Sequence, residues 1–297
     1  MLSQQIFNGL VVGAVYALFA LGFTLIFGIL HVLNLAHGAV FMVGAFIGLY
    51  CAVGLDLPFP LALVLAALGA GALSVALDWC AFRPLRKRGA PEFSAIITSM
   101  GAGLVIMNIA QRLSGTQVWR YPFETFPIHI VQFLGLRVSL LQLVIIGTML
   151  LGVLLLWWLM FRTSVGRQIR AVAINAHTAS LLGCNPEFVH FVVFFVSGAL
   201  AGVAGVLIGI AFNSVHFLMG EPYMLRAFVV IVLGGLGSVA GAVIAGLLLG
   251  VVQTLTFAYL SSAWTDAIVF SLLFITLLVR PTGFFGTLRI ERRIARS

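Results

Sequence analysis

The chain alternates between long apolar runs and short polar stretches. The apolar segments lie at about 6–30, 38–55, 59–81, 94–112, 140–161, 189–212, 225–258 and 264–280. A run of about 20 residues is long enough, as a helix, to cross roughly 30 Å of hydrocarbon. The runs are continuous and lack the alternating ten-residue pattern of a membrane barrel. The pattern predicts an all-α polytopic integral membrane protein with a single transmembrane domain over residues 1–297.

The seventh apolar segment is too long for one ordinary span. Glycines interrupt it at Gly234, Gly235 and Gly237. Residues 222–238 then either cross the membrane as a short, glycine-broken segment or lie re-entrant. We favour the crossing, which makes about eight to nine transmembrane helices with a break near 234–241.

Charge is scarce and mostly positive. Only 8% of the residues are charged and the net charge is +8, whereas a soluble domain is usually about a quarter charged. Twelve of the 16 basic residues fall in three clusters, at 83–88, 162–170 and 280–296. The positive-inside rule places all three in the cytoplasm, including a basic tail at 281–297, and leaves 114–139 outside. Membrane topology therefore explains the positive charge, and no nucleic-acid partner is expected.

Several kinds of chemistry are excluded. Lys87 is the only lysine and follows Arg86, so the Gly-Lys pair of a phosphate-binding loop is absent. Three widely spaced cysteines form no metal or redox motif, and neither HExxH nor GxSxG occurs. We expect no enzyme activity, cofactor or metal site.

Acidic residues within the spans are also few. An ion-coupled transporter usually places carboxylates or histidines in the membrane. Asp78 lies one turn from the first basic cluster, where we predict pairing with Arg83, and Asp266 begins the last span. Transport driven by ion coupling within this chain is therefore poorly supported.

Small residues recur at four-residue spacing within the spans. Examples are Gly9/Gly13, Gly44/Gly48, Gly198/Gly202, Gly205/Gly209, Gly237/Gly241 and Gly246/Gly250. Such spacing lets helix backbones approach closely in lipid. We favour packing within the chain, with a dimer interface as the alternative.

Two irregular places are candidates for a translocation path. The first is the polar interruption that contains Asn34, His37 and Gly38, where side chains offer donors and acceptors and glycine permits a turn. A histidine bonded to nearby backbone is the alternative for His37. The second is the glycine run at Gly234, Gly235 and Gly237, where released backbone groups need a water-lined or protein-lined environment. A purely structural hinge is the alternative there.

Residues 163–183 have a different pattern. Apolar positions fall near one helical face and Arg167 and Arg170 lie toward others. Thr163 or Ser164 can cap the start, and Gly183 with Pro186 gives a stop. We predict a short helix parallel to the membrane. It either rests on membrane lipid headgroups or docks in a groove of a cytoplasmic partner, and the missing energy source favours docking.

Five motifs together resemble the permease subunits of branched-chain amino acid ABC importers. They are the runs Asn34–Gly38, Arg83–Arg86, Gly166–Ala173 with Ala179–Gly183, Leu233–Ser238 with Gly241–Ala242, and Arg280–Gly286. The resemblance implies an inner-membrane permease, powered by two cytoplasmic ATP-binding subunits. It also implies a second homologous permease and a periplasmic solute-binding protein.

By this resemblance, residues 163–183 form the cytoplasmic coupling helix. Arg167 and Arg170 are then candidates for contacts with an ATPase, and Ala171, Ala176 and Gly183 for close packing in its groove. Gly166 is a further candidate coupling residue. The expected solute is a branched-chain amino acid or a related small polar molecule such as urea, an amide or an aromatic acid. The alternative from another class is a passive channel or facilitator; an intramembrane enzyme is disfavoured.

Overall fold

The computed structural model describes residues 1–122, 130–133 and 136–286. Part of the predicted outward segment 114–139 and residues 287–297 of the predicted basic tail lie outside the described residues. The elements of the described chain are α1 (Leu2–Leu30), α2 (His37–Leu49), α3 (Phe59–Leu77), α4 (Arg83–Lys87), α5 (Glu92–Ser114), β1 (Ile130–Phe133), β2 (Leu136–Ser139), α6 (Leu140–Arg162), α7 (Ser164–Ile174), α8 (Ala176–Leu181), α9 (Pro186–Ala211), α10 (Gly220–Gly234), α11 (Val239–Tyr259) and α12 (Thr265–Val279).

The predicted all-α membrane fold is confirmed. Eight helical segments in the described chain are long and apolar enough to span a membrane. Two of them continue through π-helical turns, Tyr50–Gly54 after α2 and Asp78–Phe82 after α3. Helix α10, with 15 residues, is only ~22 Å long and is too short to cross alone.

A small hairpin is the exception to the helical prediction. Strands β1 and β2 pair antiparallel, with Ile130 opposite Ser139. The side chain of Gln4 accepts a hydrogen bond from the backbone N–H of Arg137 at 2.9 Å and donates one to its carbonyl. The hairpin is therefore attached to the start of α1. It leads directly into α6, whose first turn is closed by a capping box between Ser139 and Gln142.

Glycine contacts set the direction of the helices. A Cβ at Gly9 would lie 2.7 Å from the Cα of Val251, and one at Gly13 would lie 2.7 Å from the Cα of Leu247. As the residue number increases along α1, the number of the residue it contacts in α11 decreases. The two helices are therefore antiparallel. In the same way Gly198 meets Ser74 while Gly202 meets Ala66, a pairing that makes α9 antiparallel to α3.

The four-residue glycine pairs are therefore used within the chain, as predicted. Gly44 contacts Gly202, Gly205 contacts the carbonyl of Phe41, and Gly250 contacts Gly13. Because lipid tails are as apolar as the side chains, such close backbone packing supplies much of the attraction between membrane helices.

Helix α10 completes a ninth pass of the described chain together with the segment before it. After α9 the chain turns back, and Val215 forms a two-way backbone bridge with Trp119. Asn213 accepts a hydrogen bond from the backbone N–H of Tyr121 at 2.7 Å. The Tyr121 side chain is buried there, and this burial raises the pKa of its phenol. Residues 213–219 then lead inward to Gly220, where α10 begins. The predicted short, glycine-broken crossing agrees with this path.

The described residues of the three basic clusters, which include only Arg280 of the third, lie at one end of the bundle. Arg83 of the first cluster pairs with Glu187 in the first turn of α9. Ser197, in the middle of α9, donates a hydrogen bond to the carbonyl of Gly22, in the second half of α1. Gly28 approaches Gly237, and Gly235 contacts the segment that follows Arg280. The end of α1, the start of α9 and the end of α12 therefore share one face, which the positive-inside rule makes cytoplasmic.

Removing the glycine contact between α1 and α11 is expected to destabilise the fold. A Cβ at Gly250 would overlap the backbone of Gly13. We therefore expect Gly250→Ala to lower the free energy of unfolding by ~1–3 kcal/mol, the usual penalty of overpacking. Thermal unfolding in detergent measures the change.

The matched control is Gly147→Ala in α6, because a Cβ there meets nothing within 4 Å. It removes a helical glycine without a clash, so stability should stay the same or rise by up to ~1 kcal/mol. Equal melting temperatures for the two variants would contradict the proposed role of the contact.

Candidate functional site

The first predicted path site is a packed break between α1 and α2. Helix α1 ends at His31 in the left-handed conformation, with φ 57°. Buried Asn34 accepts a hydrogen bond from the backbone N–H of Ala36 at 3.1 Å, and the N–H of Leu35 donates to Ser99 Oγ at 3.1 Å. Two backbone donors freed at the break are thus satisfied inside the protein, as the membrane interior requires.

His37 is completely enclosed at the start of α2. Its ring stacks on Phe19, with centroids 4.7 Å apart, and on Phe23 at 5.6 Å. A Cβ at Gly22 would lie 3.1 Å from His37 Nε2, so the ring also depends on a small neighbour. The ring therefore has packing contacts in this structure, and a role in translocation remains a prediction.

Gly38 brings α2 against α10. A Cβ at Gly38 would lie 2.9 Å from the carbonyl oxygen of Gly220, and a Cβ at Gly220 would overlap Gly38 in turn. The starts of the two helices therefore touch through their backbones, inside the bundle.

The second predicted path site lies at the opposite end of α10. Gly234 packs on the backbone of Gly241 at the turn into α11. Phe284 donates its backbone N–H to the carbonyl of Leu233 at 2.8 Å, and Phe285 donates to that of Gly234 at 3.1 Å. The segment after α12 thus satisfies the carbonyls released where α10 ends.

Gly235 and Gly237 provide the turn between α10 and α11, with φ of 97° and 82°. A side chain is disfavoured at such angles. Because α10 is ~22 Å long, this turn and the Asn34–Gly38 break are separate places. The structure does not bring the six predicted path residues into one site.

The predicted coupling helix is two helices, α7 and α8. Asn175 adopts an extended backbone, with φ −160° and ψ 108°, and its side chain accepts a hydrogen bond from the N–H of Thr178 at 3.0 Å. This cap starts α8 and ends α7, because asparagine favours helix starts over helix interiors. Thr163 caps α7 as predicted, by accepting from the N–H of Gly166 at 3.0 Å.

Two of the predicted coupling residues contact the rest of this chain. Gly166 is buried, and a Cβ there would overlap the carbonyls of Leu159 and Met160. The guanidinium of Arg170 donates to the carbonyl of Met160 and lies 5.4 Å from the ring centre of Phe161. Gly166 and Arg170 therefore hold α7 against the end of α6. Ala171, another predicted coupling residue, also lies in α7 and is half-buried.

The exposed part of this unit is mixed apolar and basic. Arg167, Ala176 and Gly183 are exposed. Beside them Leu181 and Leu182 are 75% and 79% exposed. We refer to residues 167 and 174–183 as the cytoplasmic knob. Large exposed leucines at a membrane protein's aqueous end are typical of a surface that a partner covers.

Four charged residues tie the neighbouring helix ends together. Asp78 pairs with Arg86 through two contacts of 2.5 and 3.1 Å, so the predicted pairing with Arg83 is wrong. Arg83 instead reaches Glu187 of α9 at 2.9 Å. Helix α3 continues through the π-helical turn into α4. Residue 86 therefore lies two helical turns after residue 78 on the same side of the helix, where the two side chains can pair.

A polar cluster around Arg226 was not predicted. Tyr16, the central residue of the 29-residue helix α1, donates to Gln253 Oε1 at 2.7 Å. Arg226 Nη1 lies 3.4 Å from the Tyr16 oxygen, and Nη2 lies 3.4 Å from Asp266 Oδ1. Its guanidinium carbon is also 5.8 Å from the ring centre of Tyr223. A charged residue within the membrane-spanning bundle marks a candidate functional site by default.

A cavity of about 210 Å³ opens beside this cluster, between α10 and α12. Its walls include Glu221, Arg226 and Asp266 and the apolar residues Leu225, Val269 and Phe270. Arg226 lies within the seventh apolar segment and outside the three basic clusters. An isolated arginine inside an apolar run is the signal that could have identified the site.

The chain is similar to permease components of amino acid transport systems. Residues 5–278 match the family described as branched-chain amino acid transport system / permease component. The high-affinity branched-chain amino acid transport system permease protein LivH of Salmonella typhimurium is 34% identical over 303 residues, covering 97% of each chain. Its counterpart BraD of Pseudomonas aeruginosa is 33% identical with the same coverage.

A more distant relative matches over most of its length as well. The probable branched-chain amino acid transport permease protein LivH of Methanocaldococcus jannaschii is 28% identical over 287 residues, which is 91% of this chain and 88% of the relative.

Substitution of Gly283 tests the backbone contacts at the end of α10. Gly283 has φ 75°, and a Cβ there would overlap the carbonyl of Val232 and lie 2.6 Å from the amide nitrogen of Gly235. We expect Gly283→Ala to lower the free energy of unfolding by ~2–4 kcal/mol, combining left-handed strain with overpacking. Thermal unfolding in detergent is the measurement.

Gly89→Ala is the matched control. Gly89 has φ 59°, but a Cβ at this position would meet nothing within 4 Å, so this variant should lose only the ~1–2 kcal/mol of left-handed strain. Equal losses at the two positions would show that the contact at the end of α10 contributes nothing.

Proposed function

Because the chain belongs to the family of branched-chain amino acid transport system permease components, we propose that it is the transmembrane permease subunit of an ATP-driven importer for branched-chain amino acids. The observation that carries this proposal is the match over residues 5–278, which includes every membrane-spanning helix almost completely. The chain is a multi-pass protein of the bacterial inner membrane and forms part of the translocation pathway.

The motor for transport lies on other subunits in this proposal. The relatives are permease components and not enzymes. The only lysine, Lys87, is not part of a phosphate-binding loop. Two cytoplasmic ATP-binding subunits would therefore hydrolyse ATP, and a periplasmic solute-binding protein would deliver the solute. A second, homologous permease would supply the other half of the path.

The cytoplasmic knob is the proposed docking surface for an ATP-binding subunit. It includes part of the second basic cluster, and it exposes Arg167, Leu181 and Leu182. A groove with apolar walls and an acidic rim would bury the two leucines and pair with Arg167. Gly166 and Arg170 hold α7 on α6, so movement of the knob would be transmitted to α6.

Reconstitution tests the proposed function. The chain, its second permease and the two ATP-binding subunits are placed in liposomes that are loaded with ATP. The binding protein and the solute are added outside. We expect accumulation of leucine, isoleucine or valine against a gradient only with hydrolysable ATP. Uptake by this chain alone, down a gradient and without ATP, would instead support a passive channel.

Docking is tested by two substitutions on the cytoplasmic knob, one that reverses a charge and one that replaces an apolar side chain with a charged one. Arg167→Glu and Leu181→Asp should each weaken association with the ATP-binding subunit by about tenfold, since each removes a contact of ~1–2 kcal/mol. Pull-down with purified ATP-binding subunit, followed by uptake in liposomes, gives the two readings.

Arg88→Glu is the matched control, because Arg88 is exposed in the first basic cluster and lies outside the knob. It should bind the ATP-binding subunit as the unaltered chain does. If Arg167→Glu and Leu181→Asp also bind normally, the knob is not the docking surface. Arg170→Glu is less informative, since Arg170 is bonded to Met160 within the chain.

A further inference from the structure

The charged cluster around Arg226 joins the middle of α1 to the start of α12. Its partner Tyr16 is the central residue of α1, with Leu2 and Leu30 at equal distances along the helix. Asp266, which Arg226 contacts, lies in the first turn of α12, and its side chain is 71% exposed, so the cluster extends to the start of this helix.

The contacts of Arg226 within this chain are incomplete. A guanidinium has five N–H donors, and strong pairs with carboxylates are usually bidentate at about 2.7–2.9 Å. Arg226 has single contacts of 3.4 Å with Tyr16 and Asp266, and its Nε has no acceptor among the described residues. By contrast, the structural pair Asp78 and Arg86 makes two contacts, at 2.5 and 3.1 Å. Arg226 is thus held in place by its contacts, but some of its N–H donors have no acceptor.

The cavity beside Arg226 offers charges of both signs and an apolar wall. Asp266 and Glu221 supply carboxylates, and the side chain of Asp266 is 71% exposed. The apolar residues Leu225, Val269 and Phe270 also line the cavity. The volume of about 210 Å³ is below the ~300–1,000 Å³ of sites for drug-sized ligands. The cavity therefore fits a small solute with both charges and a short apolar group.

We propose that the cavity between α10 and α12 is a solute-binding site within the permease that takes a zwitterionic α-amino acid. Arg226 binds the carboxylate through the remaining N–H groups of Nη1 and Nη2. Asp266 and Glu221 bind the ammonium group, and Leu225, Val269 and Phe270 contact an aliphatic side chain. Tyr16 and Gln253 position Arg226 through their shared hydrogen bonds. This site rests on the proposed function, because it holds a solute in transit.

The test compares leucine with two analogues on the complete complex. The complex of both permeases and both ATP-binding subunits is placed in nanodiscs without binding protein, and binding of radiolabelled L-leucine is measured. Competition by 4-methylpentanoate, which lacks the ammonium group, and by 3-methylbutylamine, which lacks the carboxylate, follows. In the unaltered complex both analogues should bind at least about tenfold more weakly than leucine.

Each variant should remove the preference for one group only. Asp266→Asn should weaken the binding of leucine by about tenfold and leave the binding of 4-methylpentanoate unchanged. Arg226→Gln should weaken the binding of leucine similarly and leave the binding of 3-methylbutylamine unchanged. The control Arg112→Gln alters an exposed arginine at the end of α5 and should leave binding of all three ligands unchanged.

Three results would overturn this site. They are no leucine binding by the unaltered complex, unchanged leucine binding in both variants, and equal weakening of all three ligands, which would show a merely structural ion pair. If the unaltered complex accumulates leucine in liposomes while any of these results holds, the binding site fails and the proposed function stands. If it accumulates no branched-chain amino acid, the proposed function itself fails.

Discussion

Contact between helix backbones through glycine is the interaction on which this bundle depends. In water an apolar side chain gains by leaving solvent, but in lipid it gains little, so attraction requires close and extensive packing. Gly13 and Gly250 let α1 and α11 touch, and Gly44 and Gly202 do the same for α2 and α9. Helices α1 and α9 are consequently the central helices, with most of their length buried.

The same packing limits where polar chemistry can occur. The break at Asn34 is closed by hydrogen bonds within the protein, and the glycine turn after α10 is closed by the segment that follows α12. Both places are irregular in sequence yet contain little unsatisfied polarity in their backbones. The cluster at Arg226 differs, since it combines incomplete hydrogen bonding with an adjacent cavity. The break does keep unpaired side-chain polarity, since Asn34 Nδ2 and both ring nitrogens of His37 have no hydrogen-bond partner among the described residues.

The sequence predicts local features of the molecule well and its tertiary pairings poorly. Apolar runs predict the long helices, because crossing a bilayer requires length and hydrophobicity that any segment shows by itself. The pairing of Asp78 with Arg86 depends on a π-helical turn that no pattern announces. Likewise, the pattern predicts Asn175 as a polar position of one helix, although its side chain starts another. Arg226 can be noticed in the sequence as an isolated arginine, but its contacts with Tyr16 and Asp266 depend on tertiary packing.

The closure of α10 by the segment after α12 also bears on how the protein is made. Phe284 and Phe285 supply the donors for the last carbonyls of α10, but two further helices are synthesised before these residues leave the ribosome. During translation, α10 therefore enters the membrane with an open end. This end is closed only once the segment after α12 has been synthesised, so a late segment completes the hydrogen bonding of an earlier helix.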